Sequence, residues 1–244
     1  MPRRSTSLLL LVLATQTASA DVRSFTQTYE YSTTPEGKTD LELWHTQGRR
    51  TWDTDTAQTF EQIAEIEYGI TDKWDLAFYS VFAQSTGDAM IPGESFHFAQ
   101  TKLETRYRLA ERGEWPVDTL LYLELGKDFG QSIYEIEGKV IGARDFDRLT
   151  VAGNLIGEIE AGKDVAETEL SVGFAAGAAY QIASKLRFGA ETWGAFEEEE
   201  MQWSVGPALS AQPGGNLWIA LTAGFGLTDE ADAFSARAIL GIAL

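Results

Sequence analysis

The sequence predicts an all-β protein: a transmembrane antiparallel up-and-down β-barrel of 12 strands, with 14 strands as the alternative count. Three observations lead to this prediction. They are an N-terminal export signal, an apolar/polar alternation of period two in segments of ten or more residues, and tyrosines that recur beside short turns. Beyond the export signal, no run of about eighteen apolar residues predicts a transmembrane helix.

The N-terminus has the three parts of a cleavable signal peptide. Arg3 and Arg4 form a positive start, residues 8–14 are an apolar run too short to span a bilayer, and residues 18–20 form a small-x-small cleavage pattern. We therefore expect residues 1–20 to be removed by cleavage near Ala20. Residues 21–244 would then form a single β-barrel domain in the outer membrane of a Gram-negative bacterium. A short N-terminal membrane anchor is the alternative. The chain has no cysteine, which excludes a lipoprotein anchor and disulfides.

Strand-like alternation recurs along the whole remaining chain. In residues 58–70, one face carries Phe60, Ala64, Ile66, Tyr68 and Ile70, and the other carries Glu61, Glu65 and Glu67. Short turns are expected near residues 71, 110, 144, 183 and 213, and longer acidic or glycine-rich loops near 48–55, 84–94, 127–132, 158–164 and 197–200. Five short turns give ten strands, and one strand before them (40–48) and one after them (233–244) make twelve. Residues 23–32 also alternate, so they either add a strand, plug the lumen or raise the count to fourteen.

Aromatic residues next to the short turns predict an interfacial girdle on the lipid-facing side. We assign Tyr68, Trp74, Tyr107 and Tyr180 to this girdle, because a tyrosine or tryptophan has an apolar ring and a polar group that favours water.

The face opposite the apolar one is predicted to line the lumen. Its charged candidates are Glu61, Glu65, Glu67, Lys102, Glu104, Arg106, Arg108, Glu124, Glu135, Glu137, Lys139, Glu169, Arg187, Glu191 and Arg237. One interpretation is that these charges pair and fill a small barrel, since buried charges need partners. The other is a cation-attracting water path, because acids outnumber bases. Small inward residues, Gly173, Ala175, Gly177 and Ala179, form a smooth track that either stays open or is filled by Trp193 or Trp218.

Composition narrows the classes of partner. The formal net charge of −18 argues against nucleic acid and against anionic lipid bound through basic patches. The partners we expect are outer-membrane lipid, lipopolysaccharide, the barrel-assembly machinery and an unidentified small solute. The run of glutamates at 197–200 is either a solvated loop or a bridge to lipopolysaccharide through divalent ions.

The sequence does not predict an enzyme. His45 and His97 are the only histidines, no G-x-S-x-G motif occurs, and their spacing does not suit a zinc site. No cofactor and no metal site are predicted.

Several sequence segments resemble segments of a known group of proteins. The similarity is to hairpin segments of proteobacterial outer-membrane barrels that are grouped with transporters of the phenol-degradation pathway type. It is carried by residues 65–74 (EIEYGITDKW), 34–38 (TPEGK) with 41–44 (LELW), and 226–229 (GLTD). The resemblance implies a barrel fold, an outer-membrane location and transport. Barrels of this group usually end on an aromatic residue, whereas this chain ends at Leu244.

These observations favour a passive pore or transporter for small cationic or neutral solutes. The alternatives are a closed structural or ligand-binding barrel, a soluble periplasmic β-sandwich and an outer-membrane lipid hydrolase.

Overall fold

A computed structural model describes residues 22–244 except 54–57, 87–95, 131, 164–167 and 198–199. It contains twelve strands: β1 (Thr39–Arg49), β2 (Gln58–Thr71), β3 (Trp74–Thr86), β4 (His97–Arg108), β5 (Asp118–Asp128), β6 (Ile133–Phe146), β7 (Leu149–Gly162), β8 (Glu169–Ala183), β9 (Leu186–Glu197), β10 (Glu200–Gly214), β11 (Leu217–Gly226) and β12 (Phe234–Ala243). The signal peptide and its cleavage site lie outside the described residues.

The strands form one closed antiparallel barrel in which each strand pairs with its sequence neighbours. The barrel closes between β1 and β12, where Asp40 lies opposite Ala243 and Arg49 lies opposite Phe234. Closure leaves no unpaired edge, which is the condition for a sheet to enter a bilayer. The prediction of a 12-stranded up-and-down barrel is confirmed.

The two ends of the barrel differ in the way that the turn spacing predicts. One end, called here the turn end, carries the connections after β2, β4, β6, β8 and β10 together with the start of β1 and the end of β12. The opposite end, called the loop end, carries the other connections. Of the loop segments, 54–57, 87–95, 131, 164–167 and 198–199 are not described, and they include the middle of the glutamate run at 197–200.

Alternation along each strand separates two chemically different faces. In β5, Leu121, Leu123 and Leu125 point outward and are nearly half exposed, whereas Leu120, Tyr122 and Glu124 point inward and are buried. Leu155 on β7 is 70% exposed. An apolar exterior around the whole barrel is unfavourable in water and favourable in a bilayer. None of the described residues forms a helix that is long and apolar enough to cross a membrane.

The barrel's apolar exterior can be tested with a charge placed halfway along β5. The Leu123→Arg variant should lower the free energy of unfolding in phospholipid vesicles by about 2–4 kcal/mol, because the guanidinium would lie near the bilayer midplane. Leu227→Arg is the control, since Leu227 is equally exposed but lies beyond β11 at the loop end. Urea titration, with the folded fraction read from heat-modifiable gel mobility, measures the free energy of unfolding of both variants. Equal destabilisation by the two substitutions would contradict the assignment of the lipid-facing surface.

Candidate functional site: a plugged lumen

Residues 22–34 are not a strand but lie inside the barrel, and we call them the plug. Phe25, Thr28, Tyr31 and Thr34 have no exposed surface. The segment bends back on itself, because the Ser24 amide donates a 2.5 Å hydrogen bond to the Glu30 carboxylate. Burial raises the pKa of that Glu30 carboxyl, and the Ser24 hydrogen bonds and Arg187 partly oppose this rise. Among the alternatives for residues 23–32, the structure shows the lumen plug.

The tip of the plug is bound by a single carboxylate on β9. Glu191 accepts hydrogen bonds from three consecutive backbone amides, those of Thr26 (3.0 Å), Gln27 (2.9 Å) and Thr28 (2.9 Å). The hydroxyls of Thr26 and Thr222 donate to the same side chain. Hydrogen bonds to a charged acceptor are stronger than those between neutral groups, and an unsatisfied buried amide is costly. Glu191 therefore supplies the hydrogen-bond acceptor for three amides at a bend of the backbone, where no neighbouring strand could do so.

The next residue of the plug, Tyr29, is bound through its backbone by a side chain of β7, two strands away from β9. The Tyr29 amide donates to Asn154 Oδ1 at 2.7 Å, and Asn154 Nδ2 donates to the Tyr29 carbonyl at 2.9 Å. The amide side chain thus imitates the pairing of an adjacent strand. The Tyr29 ring packs edge-on against Tyr122, with ring centroids 5.1 Å apart.

The plug returns to the turn end through polar contacts. The Thr34 amide donates to Asp75 at 2.8 Å, and the Thr34 hydroxyl donates to Glu67 at 2.7 Å. The Tyr31 hydroxyl donates to the Ala110 carbonyl at 2.5 Å. These contacts lead the chain into β1 at Thr39.

The smooth inward track of β8 receives the plug, which corrects the expectation that Trp193 or Trp218 fills it. The Phe25 ring lies so close to Gly177 that a Cβ there would be 2.6 Å from a ring carbon. Trp193 lies instead against Gly224, and Trp218 lies against Gly241. The aromatic partner of the track comes from a segment that precedes the barrel, so strand patterning alone could not identify it.

Most inward charges lie in ion-pair networks. Arg106 contacts Glu67 (2.6 Å), Asp75 (2.8 Å) and Glu104 (3.2 Å). Lys102, on the same strand β4, contacts Glu124 of β5 at 2.8 Å and Glu135 of β6 at 2.9 Å.

Two further ion pairs lie on either side of Tyr29. Lys139 contacts Glu137 at 2.8 Å and lies over the rings of Tyr29 and Tyr122. Arg23 of the plug lies 3.5 Å from Glu42.

The described residues enclose a cavity in the lumen on each side of the plug. The outer cavity, toward the loop end, has a volume of about 540 Å³, and the inner cavity, toward the turn end, has about 360 Å³. Among the described residues, Tyr29 is the one that lines both. Tyr29 therefore lies between the two cavities.

The cavities differ in charge. The outer cavity is nearly balanced, with the acids Glu61, Glu124, Glu137, Glu230 and Asp232 and the bases Arg50, Lys102, Lys139 and Arg237. The inner cavity is basic, with Arg23, Arg106, Arg112, Lys185 and Arg187 against Glu30 and Asp145. The surplus of inward acids is thus concentrated at buried positions and not along the water-filled spaces.

The charged candidates from the sequence fall into several environments. Glu61, Lys102, Glu124, Glu137, Lys139 and Arg237 line the outer cavity, and Arg106 and Arg187 line the inner one. Glu65, Glu67, Glu104 and Glu191 are buried against the plug and wall. Glu135 pairs with Lys102, and Arg108 lies at the turn end beside the Tyr31 ring. Glu169 is exposed at the loop end of β8.

The predicted girdle residues lie on the outer face near the turn end. Tyr68, Trp74, Tyr107 and Tyr180 are each between 41% and 49% exposed. Trp74 and Tyr107 are direct cross-strand partners, and the Trp74 indole donates to the Thr105 hydroxyl at 2.8 Å.

Sequence reasoning missed Asn154 and Glu42 as functional residues. Asn154 and Glu42 lie at inward positions of strands whose alternation is clear, so their orientation could have been found. Their contacts with the plug could not, because nothing in strand periodicity shows where the preceding segment lies.

Comparison with known proteins supports the fold. The chain is similar to the COG4313 outer membrane channel from Pseudomonas putida F1, with a TM-score of 0.70, 12% identity, and coverage of 90% of this chain and 100% of that one. It is also similar to the KdgM porin in complex with disordered oligogalacturonate (TM-score 0.55, 13% identity, 84% and 97% covered). The NanC porin gives a TM-score of 0.56 at 9% identity, with 84% and 98% covered. No protein-family model matches the chain, and no curated protein matches it significantly. The structural neighbours are outer-membrane β-barrel channels.

The binding of the plug tip by Glu191 can be tested by thiol labelling, because the chain has no native cysteine. In a Thr28→Cys background, the added substitution Glu191→Gln should speed maleimide labelling of that thiol about tenfold or more. The glutamine presents an NH₂ group to donors and removes the charge that strengthens these hydrogen bonds.

Glu135→Gln in the same Thr28→Cys background is the control for this labelling test. It removes a lumen carboxylate that pairs with Lys102 and has no hydrogen bond to the plug. Equal labelling rates in the two double variants would show that Glu191 does not hold the plug.

Proposed function

We propose that this chain is a passive channel of the bacterial outer membrane for small solutes, and that its plug restricts the pore. The proposal is supported by the apolar exterior, the two water-accessible cavities along one axis and the similarity to outer-membrane channels. The observation that carries it is the position of Tyr29, which alone among the described residues lines both cavities.

The charges around the cavities suggest which solutes would pass. A cation would meet repulsion in the inner cavity, where Arg23, Arg112 and Arg187 lie, and an anion gains no comparable attraction in the nearly balanced outer cavity. We therefore infer that small solutes without net charge pass more readily than cations. This narrows the cationic or neutral solutes expected from the sequence to the neutral ones.

The proposal gives the N-terminal signal a structural role. Export would require residues 1–20, and cleavage near Ala20 would leave Val22, which lines the inner cavity, almost at the start of the mature chain. The turn end would then face the periplasm, and the loop end would face lipopolysaccharide. The same proposal places this chain among the transporters of the phenol-degradation type, on the basis of the sequence segments quoted above.

A closed binding barrel is the second candidate, and one observation favours it. Both backbone groups of Tyr29 are bound by Asn154, so the residue between the cavities is held in place. A barrel of this kind would take a ligand into the outer cavity and release it on the same side.

Single-channel recording in planar bilayers distinguishes the two functions. The Tyr29→Ala variant should raise the conductance several-fold over the unsubstituted protein, because it removes the ring between the cavities. Tyr31→Ala is the matched control, since Tyr31 belongs to the same plug but lines the inner cavity only. If neither the unsubstituted protein nor Tyr29→Ala conducts, the channel proposal fails and the closed barrel is favoured. Equal conductance of the two would show that Tyr29 does not restrict the pore.

A further inference from the structure

Three buried carboxylates meet on the inner wall of the barrel, beside the plug. One oxygen from each of Glu42, Glu65 and Glu67 lies within 4.8 Å of the others. The three residues are 3–4% exposed. We call this group the carboxylate cluster.

The strand register forces these groups together. Glu42 on β1 lies directly opposite Glu65 on β2, and Glu67 follows two residues later on the same inward face. Like charges directly opposite each other destabilise a sheet, and burial increases the cost of each charge. If all three groups are ionised, positive charge is therefore needed at this position.

The protein supplies only part of that charge. Arg106 contacts Glu67 at 2.6 Å but also binds Asp75 and Glu104, and Arg23 lies 3.5 Å from Glu42. Two guanidinium groups thus contact four carboxylates, and neither of them contacts Glu65.

Glu65 is the carboxylate left without a partner. Both of its oxygens are buried, no neutral or cationic donor among the described residues reaches either of them, and the group beside it is another carboxyl, that of Glu67. No described cation lies within ion-pairing distance of Glu65. An unpartnered carboxylate at this depth is a separate observation from the clustering, and it indicates a missing ligand at the cluster.

We propose that the carboxylate cluster binds one divalent cation of the Ca²⁺ type, with Glu65 as its central ligand. Carboxylate oxygens are the donors that hard cations prefer. Two oxygens each about 2.4 Å from Ca²⁺ can be at most about 5 Å apart, so the observed spacing fits a shared ion.

The cation would also strengthen the contact between plug and wall. Glu67 accepts a hydrogen bond from Thr34 of the plug, and Glu42 pairs with Arg23 of the plug. An ion shared by these carboxylates fixes both of them in place. Ca²⁺ should therefore stabilise the plugged barrel whether or not the barrel conducts solutes.

The proposal is tested with Tb³⁺, a luminescent substitute for Ca²⁺. The Trp44 indole donates a 2.8 Å hydrogen bond to Glu42, so this tryptophan is placed to sensitise an ion in the cluster. The protein is refolded in detergent, its folding is checked by heat-modifiable mobility, and Tb³⁺ emission is recorded on excitation of tryptophan. We expect saturable emission that Ca²⁺ abolishes by competition.

Two isosteric variants assign the site. Glu65→Gln should weaken Tb³⁺ and Ca²⁺ binding about tenfold or more, because it removes one ligand charge. Glu61→Gln is the matched control: Glu61 lies on the same face of β2 but lines the outer cavity. It should bind as the unsubstituted protein does.

Either of two results would overturn the proposal. One is the absence of saturable emission, and the other is equal binding by Glu65→Gln and Glu61→Gln; a proton shared among the carboxyls would then replace the ion. Thermal unfolding of the unsubstituted protein needs no variant: its midpoint should be higher in Ca²⁺ than in EDTA, and an unchanged midpoint counts against the site. None of these measurements depends on conductance, so they fail or succeed separately from the channel proposal.

Discussion

The interior of this barrel depends on how the backbone of the plug is satisfied. The amides and carbonyls of a strand pair with those of its neighbours, but residues 22–34 form no strand and most of them are buried inside the barrel. Each buried amide there needs an acceptor from the wall. Glu191 supplies one for three consecutive amides, and Asn154 supplies both an acceptor and a donor for Tyr29. These two inward side chains fix where the plug bends and so determine which residue separates the cavities.

The charge pattern of the lumen follows from that placement. The plug buries the wall around Glu42, Glu65 and Glu67, and it brings Arg23 to them. The acids that remain beside water are nearly balanced by bases in the outer cavity and outnumbered in the inner one. An excess of inward carboxylates is therefore not equivalent to a cation-selective path. The excess carboxylates around Glu65 need positive charge close to them, and we propose that a bound cation supplies it.

Much of the fold could be predicted because it rests on local regularities. Period two assigns each side chain to a face, and the turn spacing sets the number of strands. The site could be predicted only in part. Glu65 and Arg106 could be assigned to the inward face, but their partners depend on the register between strands and on a segment without strand structure. The β8 track shows the same limit, because Phe25 of the plug packs against it at Gly177, where Trp193 or Trp218 was expected.

The central claim is that the backbone of the plug is held in the lumen by wall side chains, and amide hydrogen exchange of the folded protein in detergent tests it directly. The amides of Thr26, Gln27, Thr28 and Tyr29 should exchange as slowly as amides in the middle of β9, because each donates to a buried acceptor. Exchange as fast as in the connection between β11 and β12 would mean that the segment is not bound there, and it would contradict the account.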